Sequence, residues 1–344
     1  MYMLHRAPEL FPGASFAVAH CNFRLRGEES DGDEAFVRKA CEELGTECLV
    51  RRFDTLGYAS RNGVSVEMAA RELRYAWFGE LCRERGFDAL ATAHNAGDNA
   101  ETLILNLLRG TGTKGLRGIP SSGVIGSGRG SGSVAARGRL NGRGPQAERS
   151  GRDERSEDPE LLPELCDAGV VVVRPLLGTS REEIRKWMEQ KGFLWREDRT
   201  NAENEARRNK IRNLVFPVFA EINPSFIRTL GEDIQRFRQT DDIAEDYFRS
   251  AVGGILKNGP ADGRTVIEIN VPALLELRHW RYVLWRVLED YSFSAPTFEK
   301  LCALLERYRT EPSGTVTLSG KSFQSPGYIL RARRKTLILS YRQP

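Results

Sequence analysis

Short apolar runs alternate with longer stretches of helical period over the first two hundred residues. Phe16-Ala-Val-Ala-His20, Cys48-Leu-Val-Arg-Arg-Phe53 and Ala89-Leu-Ala-Thr-Ala93 have strand length and apolar content. After the first comes Glu28-Glu-Ser-Asp-Gly-Asp-Glu34, whose acidic residues suit the positive end of a helix, with Phe36, Val37, Ala40 and Leu44 on one face and Gly45 as its stop. A second helix is predicted over 65–85, where Val66, Ala69, Ala70, Leu73, Trp77 and Leu81 fall at helical spacing before Gly86. A third runs from Gly97 to Arg109 and closes at Gly110. Val170-Val-Val-Val173 fits a buried strand, and the capping-box pattern Ser180-Arg-Glu-Glu183 opens a helix that ends at Gly192. Strand and helix in alternation predict an α/β fold: a parallel sheet with helices on both faces.

Beyond Phe216 the pattern turns mainly helical, and from Gly314 to Leu339 it alternates. The expected organisation is therefore an α/β domain over 1–120 and 161–220, a helical domain over 221–310 and a small β-rich tail over 311–344. Between the two parts of the α/β domain, 121–160 is rich in Gly, Ser and Arg and has no hydrophobic period. Such a segment buries too little apolar surface to offset its ordering entropy, so it reads as a disordered insertion or a tolerated surface loop.

Composition narrows the class. The chain has 344 residues, 40% of them hydrophobic and 28% charged, as in ordinary soluble proteins. No apolar run has the length of a membrane helix, and the first residues lack a signal-peptide core, so a cytoplasmic protein is expected. Cys21, Cys41, Cys48, Cys82, Cys166 and Cys302 include no C-x-x-C pair, which argues against a zinc site or a redox pair. A net charge of +4 permits a nucleic-acid partner without requiring one.

Ligands of open α/β sheets bind beyond the carboxyl ends of the strands. His94 stands there, and Asp98 and Glu101 follow three residues apart on the next helix. Two carboxylates beside a histidine can hold a cationic substrate or a metal; an acidic first turn that only complements the helix dipole explains them equally well. His20 follows a strand in the same way and leads into Cys21-Asn-Phe-Arg-Leu-Arg-Gly27. Arg208 and Arg212 share a helical face suited to phosphate or carboxylate, against the simpler reading of a solvated charged face.

Taken together, these segments resemble the tRNA(Ile)-lysidine synthases of the PP-loop ATP pyrophosphatase group. His20-Cys-Asn-Phe-Arg-Leu-Arg-Gly-Glu-Glu-Ser-Asp-Gly-Asp-Glu34 is similar to that family's H-x-N-x-x-L-R-x-x-E-S-x-x-D-E, and Glu67-Met-Ala-Ala-Arg-Glu-Leu-Arg-Tyr75 to its E-x-A-A-R-x-x-R-Y. Ala93-His-Asn-Ala-Gly-Asp-Asn-Ala-Glu-Thr102 resembles A-H-H-x-D-D-x-x-E-T, and Leu107-Leu-Arg-Gly-Thr-Gly112 continues it. Arg174-Pro-Leu-Leu177, Glu197-Asp-Arg-Thr-Asn201 and Arg208-Asn-Lys-Ile-Arg212 complete the order.

The resemblance implies an adenine nucleotide alpha hydrolase-like fold and an ATP-dependent ligation. ATP adenylates the C2 carbonyl oxygen of the wobble cytidine of tRNA(Ile), and free L-lysine displaces AMP to form a carbon–nitrogen bond. It further implies Asp98, Glu101 and Arg208 as catalytic residues, and His94, Asn95, Arg109 and Arg212 as substrate-binding ones. His20, Asn22 and Arg26 would lie at the nucleotide, with magnesium accompanying ATP and no protein-built metal site. The assembly state is open, a homodimer included.

Two positions depart from the pattern: Asn95 stands for its second histidine and Gly97 for the first aspartate of its pair. The chain also contains no S-G-G-x-D-S, the loop that cradles the ATP phosphates in the family. The expectation is that the first strand and this loop lie before Met1, and that these 344 residues alone are nearly inert. Two other functions stay open: a non-catalytic or degenerate RNA-binding relative, and a PP-loop enzyme that thiolates tRNA.

Overall fold

The computed structural model describes residues 1–125, 170–197, 207–258, 265–311 and 315–342. Most of the 121–160 segment, and Asp198-Arg-Thr-Asn201 of the resembling blocks, lie outside them. Contacts divide the chain into two units, with the boundary between Gln239 and Thr240.

The first unit opens on α1 (Tyr2–Leu10), β1 (Ala17–Asn22), α2 (Glu28–Glu43), β2 (Glu47–Arg52), α3 (Thr55–Asn62) and α4 (Val66–Arg85). It continues through β3 (Ala89–Ala91), α5 (Ala96–Arg109), α6 (Thr113–Leu116), β4 (Ser122–Ile125), β5 (Val170–Val173) and α7 (Arg181–Lys191). Then follow α8 (Arg207–Lys210), a π-helical turn (Ile211–Val215), α9 (Phe216–Ile222) and the start of α10 (Phe226–Val252).

The helix ends sit where their local chemistry puts them. Ser65 Oγ accepts from the Met68 amide at the start of α4, and Gly86 closes it at φ 68°, a left-handed conformation that glycine adopts without steric cost. Ser180 and Glu183 form the reciprocal capping box at the start of α7. α1, absent from the pattern-based expectation, lies against α7 and the residues after it. There Tyr2 meets Trp187 edge-on at 4.9 Å, Arg6 covers the same ring, and His5 stacks on Phe193 at 3.8 Å.

Alternation along β1 and β2 places helices on both faces. Ala19, Cys21 and Leu49 pack with Tyr75, Trp77 and Phe78 of α4. The intervening Asn22 and Arg52 turn to the opposite face, where both reach Glu34 of α2. The sheet itself comes in two pieces. β1 pairs with β2 in parallel, while β3, β5 and β4 form a separate three-stranded ladder. Leu90 and Val172 join the same α4 cluster, so one helix covers both pieces.

Three features differ from the sequence expectation. β4 runs antiparallel to β5 and falls inside the stretch read as an insertion. His20 lies within β1, paired with Val50, rather than beyond its end, because the strand continues to the buried Asn22. Two strands also occur in the stretch expected to be helical.

Those strands belong to the second unit: β6 (Leu256–Asn258) and β7 (Thr265–Asn270), then α11 (Val271–Glu276), α12 (Trp280–Leu288) and α13 (Ala295–Thr310), and lastly β8 (Ser322–Gln324), β9 (Tyr328–Ala332) and β10 (Thr336–Tyr341). The five strands make one antiparallel sheet in the order β6-β7-β10-β9-β8. Ile267, Ile269, Leu330, Leu337 and Leu339 on one face close over Leu274, Val283, Leu284, Leu301 and Leu305 of the helices.

Glu34 ties α2 to the end of β1. Its carboxylate, 4% exposed, accepts from Arg52 Nε at 2.9 Å, from Asn22 Nδ2 at 2.9 Å and from Arg38 Nε at 3.1 Å. The Arg52 bonds, with those of Asn22 and Arg38, hold its pKa at about 2 against the opposing effect of burial. With the folded value below the unfolded 4.5, this stabilisation is complete above pH 4.5 and is lost as pH falls towards 2. Glu34→Gln should therefore be less stable than wild type at pH 7, and the gap should narrow over that acid window. Urea midpoints measured from pH 7 to pH 2.5 check it; a gap independent of pH would refute the assignment.

Candidate functional site

The site is built on the first turns of α5. Asn95 caps that helix: its Oδ1 accepts from the amides of Gly97 at 2.8 Å and Asp98 at 3.2 Å. Asp98 Oδ2 in turn accepts from the Asn95 amide at 2.9 Å. The structural reading of this acidic turn is thus realised for one oxygen of Asp98. The other, Oδ1, faces Arg212 Nη2 at 3.4 Å and Arg181 Nη2 at 3.7 Å.

One turn on, Glu101 is 1% exposed and both of its oxygens are held by one guanidinium. Arg212 donates from Nε to Oε1 at 2.7 Å and from Nη2 to Oε2 at 2.9 Å. Burial raises the Glu101 pKa and the Arg212 bonds oppose it. Arg208 Nη2 donates to Thr102 Oγ1 at 3.0 Å, which in turn donates to the Asp98 carbonyl.

The backbone around Arg212 explains how these partners, more than a hundred residues apart in sequence, meet. Pro217 has no amide hydrogen, and its ring would crowd the carbonyl four residues back in a regular helix. The chain widens to a π turn over Ile211–Val215, in which the Phe216 amide reaches the Ile211 carbonyl. Buried Ile211 and Phe216 pack on Ala100 and Leu105 of α5 and fix this turn beside the carboxylates. Such π turns recur at functional sites. The far side of α5 is fixed by Asn99, whose Oδ1 accepts from the Ile119 amide at 2.8 Å. Gly118 lies against that oxygen at φ +63°, where a Cβ would come within 2.3 Å of it.

His94 lies just beyond β3, with Nδ1 hydrogen-bonded to Thr92 Oγ1 at 2.9 Å. Burial first, and then the positive charges of Arg174, Arg208 and Arg71, push its pKa down to about 4 against the pull of Asp98. It is a neutral imidazole at pH 7. Arg174, 3% exposed, donates from Nη1 to the Pro120 carbonyl at 2.8 Å.

The structure thus brings His94, Asp98, Glu101, Arg208 and Arg212 to one place. It leaves others elsewhere. Arg109 is exposed at the opposite end of α5, about 16 Å along the axis from Asp98 at 1.5 Å per residue. A continuous motif does not bring both ends of a helix to one site. Asn95 has its oxygen engaged in the cap. Asn22 is 2% exposed, gives both amide hydrogens to Asp31 and Glu34, and accepts from the Arg24 amide, so it shapes the turn after β1 and has no donor left for a nucleotide. Arg26 pairs with Asp33 at 2.9 Å, and His20 is half-buried within β1.

Sequence reasoning missed Arg181 and gave no site role to Thr102 and Arg174, although both stand in the resembling blocks. Arg181 follows the Ser180 cap directly, which is the one local signal that it would sit at a helix start. Two carboxylates, Asp98 and Glu101, face three guanidinium groups, those of Arg181, Arg208 and Arg212. A mixed cluster of this kind suits a zwitterion, with an ammonium at Asp98 Oδ1 and a carboxylate at the arginines.

Residues 1–132 and 160–219 match the family model of the PP-loop domain, and residues 262–342 that of the TilS substrate binding domain. The tRNA(Ile)-lysidine synthase of Chlorobaculum tepidum is 34% identical over 303 residues, 86% of this chain and 77% of its own. That of Bacteroides thetaiotaomicron is 37% identical over 333 residues, 96% of this chain but 63% of its own, so the chain spans less than two thirds of this relative. A solved U34-tRNA thiolase from Methanococcus maripaludis aligns at a TM-score of 0.46 and 16% identity over 68% of this chain and 67% of its own, a likeness too slight to weigh.

Proposed function

Since the chain belongs to the tRNA(Ile)-lysidine synthase family, we propose that its mixed-charge cluster binds free L-lysine for ligation to C2 of the wobble cytidine of tRNA(Ile). The observation that carries this reading is the paired carboxylates on α5, one locked by Arg212 and the other with an oxygen held only by longer contacts, from Arg212 at 3.4 Å and Arg181 at 3.7 Å.

In this reading Asp98 Oδ1 takes the lysine ammonium, displacing the longer contacts from Arg212 and Arg181. Arg181 and Arg208 receive the lysine carboxylate, for which guanidinium forks are suited. Glu101 acts through Arg212: a bidentate, buried pair holds that guanidinium beside Asp98 rather than across it. ATP supplies the activation, by adenylating the cytidine carbonyl oxygen. The amine that attacks must lose a proton as the new bond forms, and Asp98 Oδ1 stands where it can accept one. His94, neutral, lines the approach without adding a charge that would repel the amine. Magnesium would arrive on the ATP phosphates, which is how it is usually held.

Two other readings give different results. The relatives' names favour ligation over sulfur transfer, and an RNA-binding protein without catalysis would need no amino-acid site. Calorimetric titration of the chain with L-lysine, in the presence of a tRNA(Ile) transcript, separates them. Saturable binding is expected for L-lysine, with much weaker binding for norleucine, which has no terminal ammonium. Absence of binding, or equal binding of both, would overturn the proposal.

A further inference from the structure

α2 and β2 pack against each other with their chain directions opposed. At one end Glu34 of α2 meets Arg52 of β2, which donates from Nε at 2.9 Å. Seven residues further along α2, two helical turns and so on the same face, stands Cys41. Four residues back along β2, on the same face by the alternation of a strand, stands Cys48. The two steps are comparable, roughly 10 Å of helix at 1.5 Å per residue and roughly 13 Å of strand at 3.3 Å. The register that joins Glu34 to Arg52 therefore carries Cys41 to Cys48, and the two thiols share a hydrogen bond.

The connection between the two elements is tight. The Gly45 amide donates to the Glu42 carbonyl at 3.1 Å and the Thr46 amide to the Cys41 carbonyl at 2.8 Å. Cys41 is fully buried, whereas Cys48 is partly exposed. Burial first, and then Cys48 beside it, raise the Cys41 thiol above the ordinary thiol range. Two small residues filling a helix–strand interface would be the simpler reading. It leaves unexplained why two thiols meet, one of them open to solvent. Cys21 and Cys82 lie on the other side of the sheet in the α4 cluster, and Cys302 belongs to the second unit. The absence of C-x-x-C argued against a redox pair; the fold brings one together from residues seven apart.

We propose that Cys41 and Cys48 are a reversible oxidation site, which a small-molecule disulfide closes to an intramolecular bridge. The Cys48 thiolate attacks one sulfur of the reagent, forming a mixed disulfide and expelling one small thiolate. Cys41 gives its proton to solvent, its sulfur attacks that of Cys48, and the second small thiolate leaves. Two protein thiols are oxidised and one small disulfide is reduced to two thiols, so electrons and protons balance. Access divides the roles: the reagent enters at Cys48, and buried Cys41, poor in thiolate, resolves the adduct. The bridge staples the end of α2 to the sheet, on the face that Glu34 and Arg52 hold at the other end.

In the experiment the full chain is incubated with oxidised glutathione at roughly pH 8, near the ordinary thiol pKa. It is then alkylated without reduction and cut with trypsin. Lys39 and Arg51 bound a peptide, 40–51, that contains both cysteines. That peptide should be recovered unalkylated and two hydrogens lighter, and dithiothreitol should restore both thiols. In Cys41→Ala the reaction should stop at a glutathione adduct on Cys48. In Cys48→Ala, residue 41 should stay a free thiol. Thermal melting verifies that each variant folds, and a time course on the wild type, with the Cys48 adduct preceding the bridge, needs no variant. Recovery of the wild-type peptide as two free thiols or as a stable adduct, or first reaction at Cys41, would overturn the inference. The readout involves neither lysine nor RNA, so failure of the lysine titration leaves this result standing on its own.

Discussion

Glu101→Ala should lower the folding stability of the first unit by about 3 kcal/mol, the usual consequence of removing one partner from a buried ion pair. Arg212 would keep its position beside Ile211, packed by the π turn, but with no carboxylate for Nε. Urea unfolding followed by tryptophan fluorescence reads the loss. The physical cause can be isolated with a second variant. Glu101→Leu combined with Arg212→Met replaces the pair by apolar side chains of similar size, and such replacements are often neutral or stabilising. The double variant should regain most of the lost stability. A double variant as unstable as Glu101→Ala would show that the carboxylate supports the fold by some other contact.

Asp98→Asn carries the second large effect, with the opposite profile. The amide oxygen of an asparagine can still accept from the Asn95 amide, so the helix cap survives and stability should change by less than about 1 kcal/mol. What disappears is the charge on the oxygen that faces Arg212 and Arg181. A hydrogen bond to a charged group contributes about 1.5–3 kcal/mol, so lysine affinity should fall roughly 10- to 100-fold. Titration calorimetry beside urea unfolding separates the two consequences. Affinity within twofold of wild type would remove Asp98 from the site.

Much of this was legible in the chain because it is local. The Gly86 stop, the Ser180–Glu183 box and the valine run of β5 each depend on a few neighbouring residues, and the elements formed close to where those residues indicate. The acidic turn of α5 was legible as chemistry but not as geometry. That Glu101 would be locked and Asp98 half-open depends on Arg212, brought across more than a hundred residues by a π turn that only Pro217 hints at. Asn22 was assigned to the nucleotide by the family resemblance alone; buried at the end of β1, it gives both amide hydrogens to Asp31 and Glu34. The separation of β1–β2 from β3–β5–β4 has no local signature, since ladder pairing depends on which strands lie side by side. β7 was readable in its Val266, Ile267 and Ile269 but is short and flanked by helical stretches, which drew the period assignment the wrong way.

The position of bound lysine is the central question. A crystal structure of the chain soaked with L-lysine tests that most directly. It should show a lysine ammonium within hydrogen-bond distance of Asp98 Oδ1, the lysine carboxylate against Arg181 or Arg208, and the Glu101–Arg212 pair unbroken. Lysine bound with no contact to Asp98, or an Arg212 that leaves Glu101 on binding, would contradict it.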